Sequence, residues 1–290
     1  MHTSTFPTVH RVEGKSLPVN AYLVETERDI VAVDSLLTVS DSRALRARVE
    51  SLGKPLRAVL VTHAHPDHYG GLTALVDGDD VPIIASVGVD RVIRRDDEAK
   101  EAILRPMFGD EWARSRTFPT HTVHDTEAVS FGGVTFRIID LGPGESPHDS
   151  IWVLEGDEPR PFIGDLIYNH MHAYLADGYY EEWLANLARV KEIFTSDTVV
   201  YPGHGEPASM ELLDWQASYI RTFLDAVRST LAVSGPAGTS DDAATGQVTA
   251  RMKEYLHGEG LLFLMQLSVA PVRARLAAST AGGGGDRAER

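Results

Sequence analysis

The sequence predicts a layered α/β fold, and three observations carry that reading. Short apolar runs that suit buried strands alternate with stretches whose apolar residues recur at helical spacing. One such run, Arg57-Ala58-Val59-Leu60-Val61, ends in a loop holding His63, His65, Asp67 and His68, then passes through Gly70-Gly71 into the helical pattern of Leu72, Leu75 and Val76. The chain of 290 residues is 43% apolar, enough for a sizeable core and too much for wholesale disorder. It is a little long for one domain, but large layered folds often run as one unit.

Residues 5–12 and 19–25 read as strands, the second alternating about Tyr22 and Val24. Glu27-Arg28-Asp29 turns the chain into Ile30-Val31-Ala32-Val33, which Asp34-Ser35 closes. Ser40-Asp41-Ser42 caps a helix with Leu45, Val49 and Leu52 on one face, and Gly53 with Pro55 stops it. After the histidine-rich loop comes a short strand, Val81 to Ala85. Residues 90–116 are charged and weakly amphipathic and predict helices, with Pro106 breaking the run. His121 and His124 fall in a strand entry and read as ordinary surface histidines.

Phe131-Gly132-Gly133-Val134 predicts a hairpin turn into the strand Thr135 to Leu141. Residues 151–154 and 161–164 predict two further strands. A helix is expected from Tyr179, with Trp183, Leu187, Val190 and Phe194 as its buried stripe. A strand over 197–201 follows, then a long amphipathic helix over 210–232. The domain reading is a catalytic unit over 1–232, a flexible loop at 233–246, a helical extension at 247–278 packed on the same unit, and a disordered tail at 279–290 opened by the glycines after Ala281.

Three imidazoles and a carboxylate within six residues at the end of a buried strand are costly to bury unless a cation sits among them. Neutral imidazole nitrogen and carboxylate oxygen are ligands that zinc, iron and manganese accept. In an extended backbone His63 and His65 project to one side and can grip one ion. Asp67 and His68, past the Pro66 bend, can turn towards a second.

These residues resemble the His-x-His-x-Asp-His signature of the metallo-β-lactamase superfamily. The resemblance continues through Leu141-Gly142-Pro143-Gly144-Glu145-Ser146, Phe162-Ile163-Gly164-Asp165 and Tyr201-Pro202-Gly203-His204-Gly205. Val19 to Val24 and Val31 to Asp34 also look like the family's opening strands, so the match covers roughly the first three quarters of the chain. The fold this implies is a four-layer αββα sandwich. The ligand pattern it implies gives one ion His63, His65 and a residue of the 142–150 loop, gives the other Asp67, His68 and His204, and places Asp165 between them.

The activity it implies is that of a dinuclear metal-dependent hydrolase, in which a metal-bridging hydroxide attacks an activated acyl compound: lactone, ester, thioester or lactam. Asp67 is the expected catalytic residue, orienting the water or carrying its proton to the leaving group. Tyr168, His172 and Tyr174, just after Asp165, are candidates for touching the substrate. In this fold an insertion such as 90–116 overhangs the active site in many members. Met107, Phe108 and Trp112 therefore either line a pocket or simply dock the helix on the core, and docking is the preferred reading.

The sequence departs from the family pattern at Glu145, where relatives usually carry His. A carboxylate hardens the site, so zinc remains the first expectation while manganese or iron gains. His148 is a rival for the same slot, but it lies beyond Pro147, where the chain should already be heading into the next strand. An iron-dependent redox enzyme on the same fold, similar to a sulfur dioxygenase, is the alternative. The diiron oxygen reducers usually show His-x-Glu-x-Asp-His, and this chain has His65 at the Glu position. Residues 247–277 hold Arg251, Lys253, Arg273 and Arg275 without a pattern that matches the glutathione site of glyoxalase-type thioesterases.

The net charge of −15 disfavours nucleic acid as a partner, and no stretch approaches the apolar length of a membrane span. With no cysteine, neither a disulfide nor a thiolate nucleophile is available. The first ten residues hold no basic segment followed by an apolar run, so the expectation is a cytoplasmic enzyme acting on a small molecule, with homodimerisation left open.

Overall fold

The computed structural model describes residues 7–78, 80–231 and 239–282. Its first sheet runs, in spatial order, β1 (Thr8–Glu13), β2 (Asn20–Glu25), β3 (Ile30–Val33), β4 (Leu56–Leu60), β5 (Ile83–Ser86) and β6 (His121–Val123). The second holds β7 (Ala128–Phe131), β8 (Val134–Gly142), β9 (Asp149–Leu154), β10 (Arg160–Tyr168), β11 (Val199–His204) and β12 (Ala208–Ser209), in the spatial order β12-β11-β10-β9-β8-β7. Short turns make β1–β2–β3 and β7–β8–β9–β10 antiparallel, whereas β3–β4–β5–β6 and β10–β11 are parallel. Parallel neighbours need long crossovers, and helices supply them. In the first sheet these are α1 (Val39–Ser51), the short pair α2 (Pro66–Tyr69) and α3 (Leu72–Val76), and α4 (Val87–Phe108); in the second the crossover is α5 (Tyr180–Ile193).

Side-chain alternation sorts the layers. Tyr22, Val24, Val31, Val33, Ala58 and Leu60 face Phe136, Ile138, Trp152, Leu154 and Phe162 between the sheets. Their neighbours Ala21, Leu23, Ile30, Ala32, Val59 and Val61 point the other way, beneath α1, α3 and α4. The far face of the second sheet is covered by α5, α6 (Glu211–Leu231), α7 (Asp241–Tyr255) and α8 (Leu262–Gly282), whose Trp183, Phe223, Val248 and Val269 share one core. The architecture is thus αββα, as the resemblance implied. Its second half, including both C-terminal helices, forms a single packed body.

Four expectations need correction. α1 is capped by Thr38, whose side chain accepts from the Asp41 amide, two residues before the expected cap. Pro106 does not break α4, which runs to Phe108. Proline removes one backbone donor, but here it falls in the last turn, where the Arg105 guanidinium binds the carbonyls of Gly109, Trp112 and Ala113 and holds the exit in place. The span 233–246 is not loop throughout: α7 starts at Asp241 with Ser240 as its cap, and 232–238 lie outside the described residues. α8 continues to Gly282, past the expected start of the tail at 279, and 283–290 lie outside the described residues.

The ends of β4, β8, β10 and β11 meet at one rim of the sandwich. There the sheets are stitched together: the Ser150 amide donates to the Thr62 carbonyl at 2.9 Å, and the Trp152 indole donates to the Val61 carbonyl at 3.0 Å.

Candidate metal centre

Seven side chains converge at that rim in two overlapping groups. His63, His65, Glu145 and Asp165 make one, and Asp67, His68, Asp165 and His204 the other; in each, one donor atom per residue lies within 4.8 Å of the rest. Asp165 belongs to both. Its Oδ1 stands 3.1 Å from His68 Nε2, and its Oδ2 stands 3.0 Å from His204 Nε2 and 3.9 Å from His63 Nε2. Glu145 Oε2 lies 2.8 Å from His65 Nδ1 and 3.7 Å from His63 Nε2. Asp67, the one member that is not fully buried, places Oδ2 3.5 Å from His204 Nε2.

Local backbone explains the first four. β4 ends at Leu60, the chain bends at Ala64, His65 is extended (φ −85°, ψ 144°), and Pro66 opens α2. Proline suits the first helical position because its missing N–H would be unpaired there anyway. His63 and His65 therefore share a side, while Asp67 and His68 turn with the helix.

Supporting bonds aim the rings. Asp34 Oδ2 takes His68 Nδ1 at 2.8 Å and the Thr62 hydroxyl at 2.9 Å, and Oδ1 accepts from the Thr62 amide. Asp34 does so from a left-handed backbone (φ 63°), a strained conformation for a non-glycine residue beside the cluster. His204 Nδ1 donates to the Pro18 carbonyl at 2.6 Å, which leaves Nε2 with its lone pair facing the group. His65 Nε2 meets Asp177 Oδ2 at 3.0 Å, leaving Nδ1 inward. Tyr168 donates its hydroxyl proton to Glu145 Oε1 at 2.8 Å, and its ring stacks on His204 at 4.7 Å. The loop that presents Glu145 is shaped by Asp149, which accepts from the Glu145 amide and the Ser146 hydroxyl. The 202–205 turn is held by Asn20 and Tyr22, which donate to the Pro202 carbonyl. Gly203 is required there, since a Cβ would fall 1.9 Å from Asp165 Oδ1.

The donor set fits a divalent cation. Among the described residues, His63 Nε2, His68 Nε2, His204 Nε2, Glu145 Oε2 and Asp165 Oδ1 are buried without a hydrogen-bond partner, and all five face the two groups. Buried polar atoms normally find partners, and a cluster of orphaned lone pairs suits cations. Burial pushes the Glu145 carboxyl up to about 8 despite His65 beside it, and burial raises Asp149 to about 6. Burial would lower His204, but Asp165 outweighs it and holds the imidazole up at about 10. The carboxylates likewise hold His65 and His68 above the usual imidazole range against burial, whereas burial and the neighbouring His68 hold His63 well below it.

The structure brings Glu145 into the first group and turns His148 away. The His148 ring packs on Gly88, where a Cβ would fall 2.0 Å from it, and binds Asp140 Oδ1 at 2.6 Å. Of the three candidate substrate contacts, Tyr168 and Tyr174 line a cleft that opens onto His65, Asp67 and Asp165. His172 does not: it is buried beneath the C-terminal segment, bound to the Tyr219 hydroxyl at 2.9 Å and the Gly258 carbonyl at 3.1 Å. Its polar-aromatic surroundings in sequence suggested a pocket, but the chain has turned inward by that residue. Trp112 docks into the core as preferred, fully buried under the Arg116 guanidinium, whereas Met107 and Phe108 reach the cleft.

Sequence reasoning missed Asp177 and Asp149 and noted Asp34 only as the end of a strand. Asp34 carried a signal in its place at the tip of an apolar strand. Asp177 carried none, being one acid in an unpatterned loop.

A family model described as the metallo-beta-lactamase superfamily matches residues 14–204. The chain is 29% identical over 150 residues to a hydroxyacylglutathione hydrolase of Prochlorococcus marinus (strain MIT 9301), a match covering 51% of this chain and 51% of that protein, so the chain spans about half that relative's length. It is 24% identical over 206 residues to a metallo-beta-lactamase type 2 of Bacillus sp. (strain 170), covering 69% and 72% respectively. Among solved structures, a beta-lactamase domain protein from Burkholderia ambifaria superposes with a TM-score of 0.67 at 20% identity, over 96% of this chain and 88% of that one. With its signature loop and all seven candidate ligands inside the matched region, the chain belongs to the metallo-β-lactamase superfamily.

Proposed function

We propose that the protein is a dinuclear metal-dependent hydrolase of an uncharged acyl compound, a lactone, ester or thioester. The observation that carries this is the sharing of Asp165 between two groups of buried, unpartnered donor atoms. On this reading His63, His65 and Glu145 hold one ion, Asp67, His68 and His204 the other, and Asp165 both. The ions, when bound, would activate a water nucleophile and stabilise negative charge on the acyl oxygen.

The chain's own side chains do the rest. Asp67 faces the cleft and is held well below the usual carboxylate range, burial being outweighed by His68 and His204. As an anionic acceptor it orients the water and passes a proton to the leaving group. Tyr168, which burial keeps protonated, remains a donor that fixes the Glu145 carboxylate. The relatives named for hydroxyacylglutathione and β-lactam chemistry place thioesters and lactams within the screen. A glutathione conjugate is less favoured, because among the described residues Lys100 is the only lysine or arginine on the cleft. Glu145, a hard oxygen donor, extends the choice of metal from zinc to manganese and iron.

Metal analysis of protein purified without chelator should give two ions per chain. The metal-loaded protein should then hydrolyse at least one class in a panel of lactones, esters, thioesters and β-lactams. Full activity at one metal per chain would remove the shared-ion reading, and oxygen- or sulfur-dependent redox turnover alone would remove the hydrolase.

A further inference from the structure

We propose that the cleft between α4 and α8 binds an apolar acyl or alkyl tail, so that the preferred substrate is an amphiphile whose scissile group sits over the candidate ligands while its tail lies between the two helices. This rests on the hydrolase reading of the same site and adds its substrate class.

The cleft holds about 210 Å³. Its floor is polar, with His65, Asp67 and Asp165, while its walls are apolar: Ile103, Leu104 and Met107 from α4, and Phe263, Leu264 and Leu267 from α8. Helical spacing explains the first wall. Val89, Val92 and Ile93 dock the start of α4 on the first sheet, and the same face continues through Lys100, Ile103, Leu104 and Met107. Where the sheet ends, that face is left over the site. Helix α8 is apolar on two sides: Met265, Val269 and Val272 enter the core, while Phe263 and Leu267, one turn apart, face the cleft.

Among the described residues six large apolar side chains are exposed. Four of them, Ile103 at 60%, Met107 at 62%, Phe263 at 45% and Leu267 at 59%, line this one cleft. Folding has already buried a core beneath each helix, one under α4 and another under α8, so stability does not demand this further apolar surface. Apolar exposure gathered in one place marks a binding surface. Its continuity with the ligand cluster identifies the occupant as the substrate itself. α8 lies outside the region that matches the family, 14–204, so this wall is supplied by the chain's own extension.

The test uses the metal-loaded full chain and 4-nitrophenyl acetate, butyrate, hexanoate and octanoate. Each added methylene buried in the cleft should raise kcat/KM about fourfold until the cleft is full. Phe263→Asp should lower the octanoate-to-acetate ratio about tenfold or more, and Ile103→Asp on the opposite wall should do the same, so that misfolding of one variant leaves the other informative. Ile193→Asp, on the exposed face of α5, should keep the wild-type ratio.

A second measurement is independent of turnover. Calorimetric titration with methyl ketones of increasing length, which cannot be hydrolysed, should show affinity rising with length, a negative heat-capacity change, and loss in both cleft variants. Ketone binding with no hydrolysis of any ester, lactone, thioester or β-lactam would keep the tail site and sink the hydrolase reading. Hydrolysis with no dependence on chain length and no ketone binding would overturn the tail site alone. A wild-type dimer that Leu267→Asp dissociates, with no ketone affinity, would also overturn it, making the surface an interface between copies.

Discussion

The two sheets deliver their candidate ligands in opposite ways. The first supplies four from the six residues His63–His68, at the end of one strand. The second supplies Glu145, Asp165 and His204, separated by 20 and 39 residues, from the loop after β8, from within β10 and from the last residue of β11. A local set depends on the backbone of a single turn: an extended step to His65 and then Pro66. A distributed set depends on the register of β8 to β11 and on loops shaped by Asp149, Asn20 and Tyr22. The first set should therefore tolerate distant change, and the second should not.

Asp165 is where the two sets meet, so its loss should do the most damage. Asp165→Ala should leave the protein folded, release the ion shared with His68 and His204, and cut kcat/KM by about a thousandfold. Metal content and circular dichroism check this together. A variant that keeps both ions would mean that the two sets bind independently.

The next comparison is between Glu145 and His148, neighbours in sequence but not in space. Glu145→Ala should cost more metal affinity than the roughly 10–100-fold typical of a supporting residue. Glu145→His should retain metal with a preference moved towards zinc, and His148→Ala should leave occupancy nearly intact. If His148→Ala empties the site instead, the loop rearranges on metal binding.

Asp34 and Asp177 probe the supports of the local set. Asp34→Asn tolerates the left-handed backbone but removes the charge that orients His68 and Thr62. Asp177→Ala frees His65 Nε2. Each should weaken metal binding about 10–100-fold, read by competition with a chromophoric chelator. Equal losses are expected; a much larger loss at Asp177 would show that the local set leans on the second half after all.

The smallest expected effect lies at His172, which ties the C-terminal segment to α6. Burial lowers its pKa, with the Gly258 carbonyl opposing and Lys253 assisting, and the Tyr219 hydroxyl is its other neighbour. The folded state thus prefers the neutral ring, and the unfolded chain binds the proton more readily. The stabilisation is full above the unfolded value of about 6.5 and is lost as pH falls through the lower folded value. Melting temperature should drop a few degrees more between pH 7 and pH 5 in the wild type than in His172→Gln. Equal pH dependence would remove this role.

What could be read in the chain alone follows from locality. The His63–His68 cluster, the strands around it and the α/β class are short-range patterns of period two, period 3.6 and ligand chemistry, whereas the Gly-Pro-Gly and Pro-Gly-His loops stood out only through resemblance to the family. Those patterns survive without knowledge of neighbours. Tertiary structure decided everything that depends on which distant segments meet. It placed Asp177 behind His65 across 112 residues. It turned His148 outward to Asp140 and His172 inward to Tyr219. It let α4 run through Pro106, because Arg105 reaches carbonyls beyond the helix end. It also laid α8 beside α4, so that two apolar faces with no legible partner in sequence became the walls of one cleft. The physical reason is the same in each case: a side chain's direction is set locally, but its partner is set by the packing of whole layers.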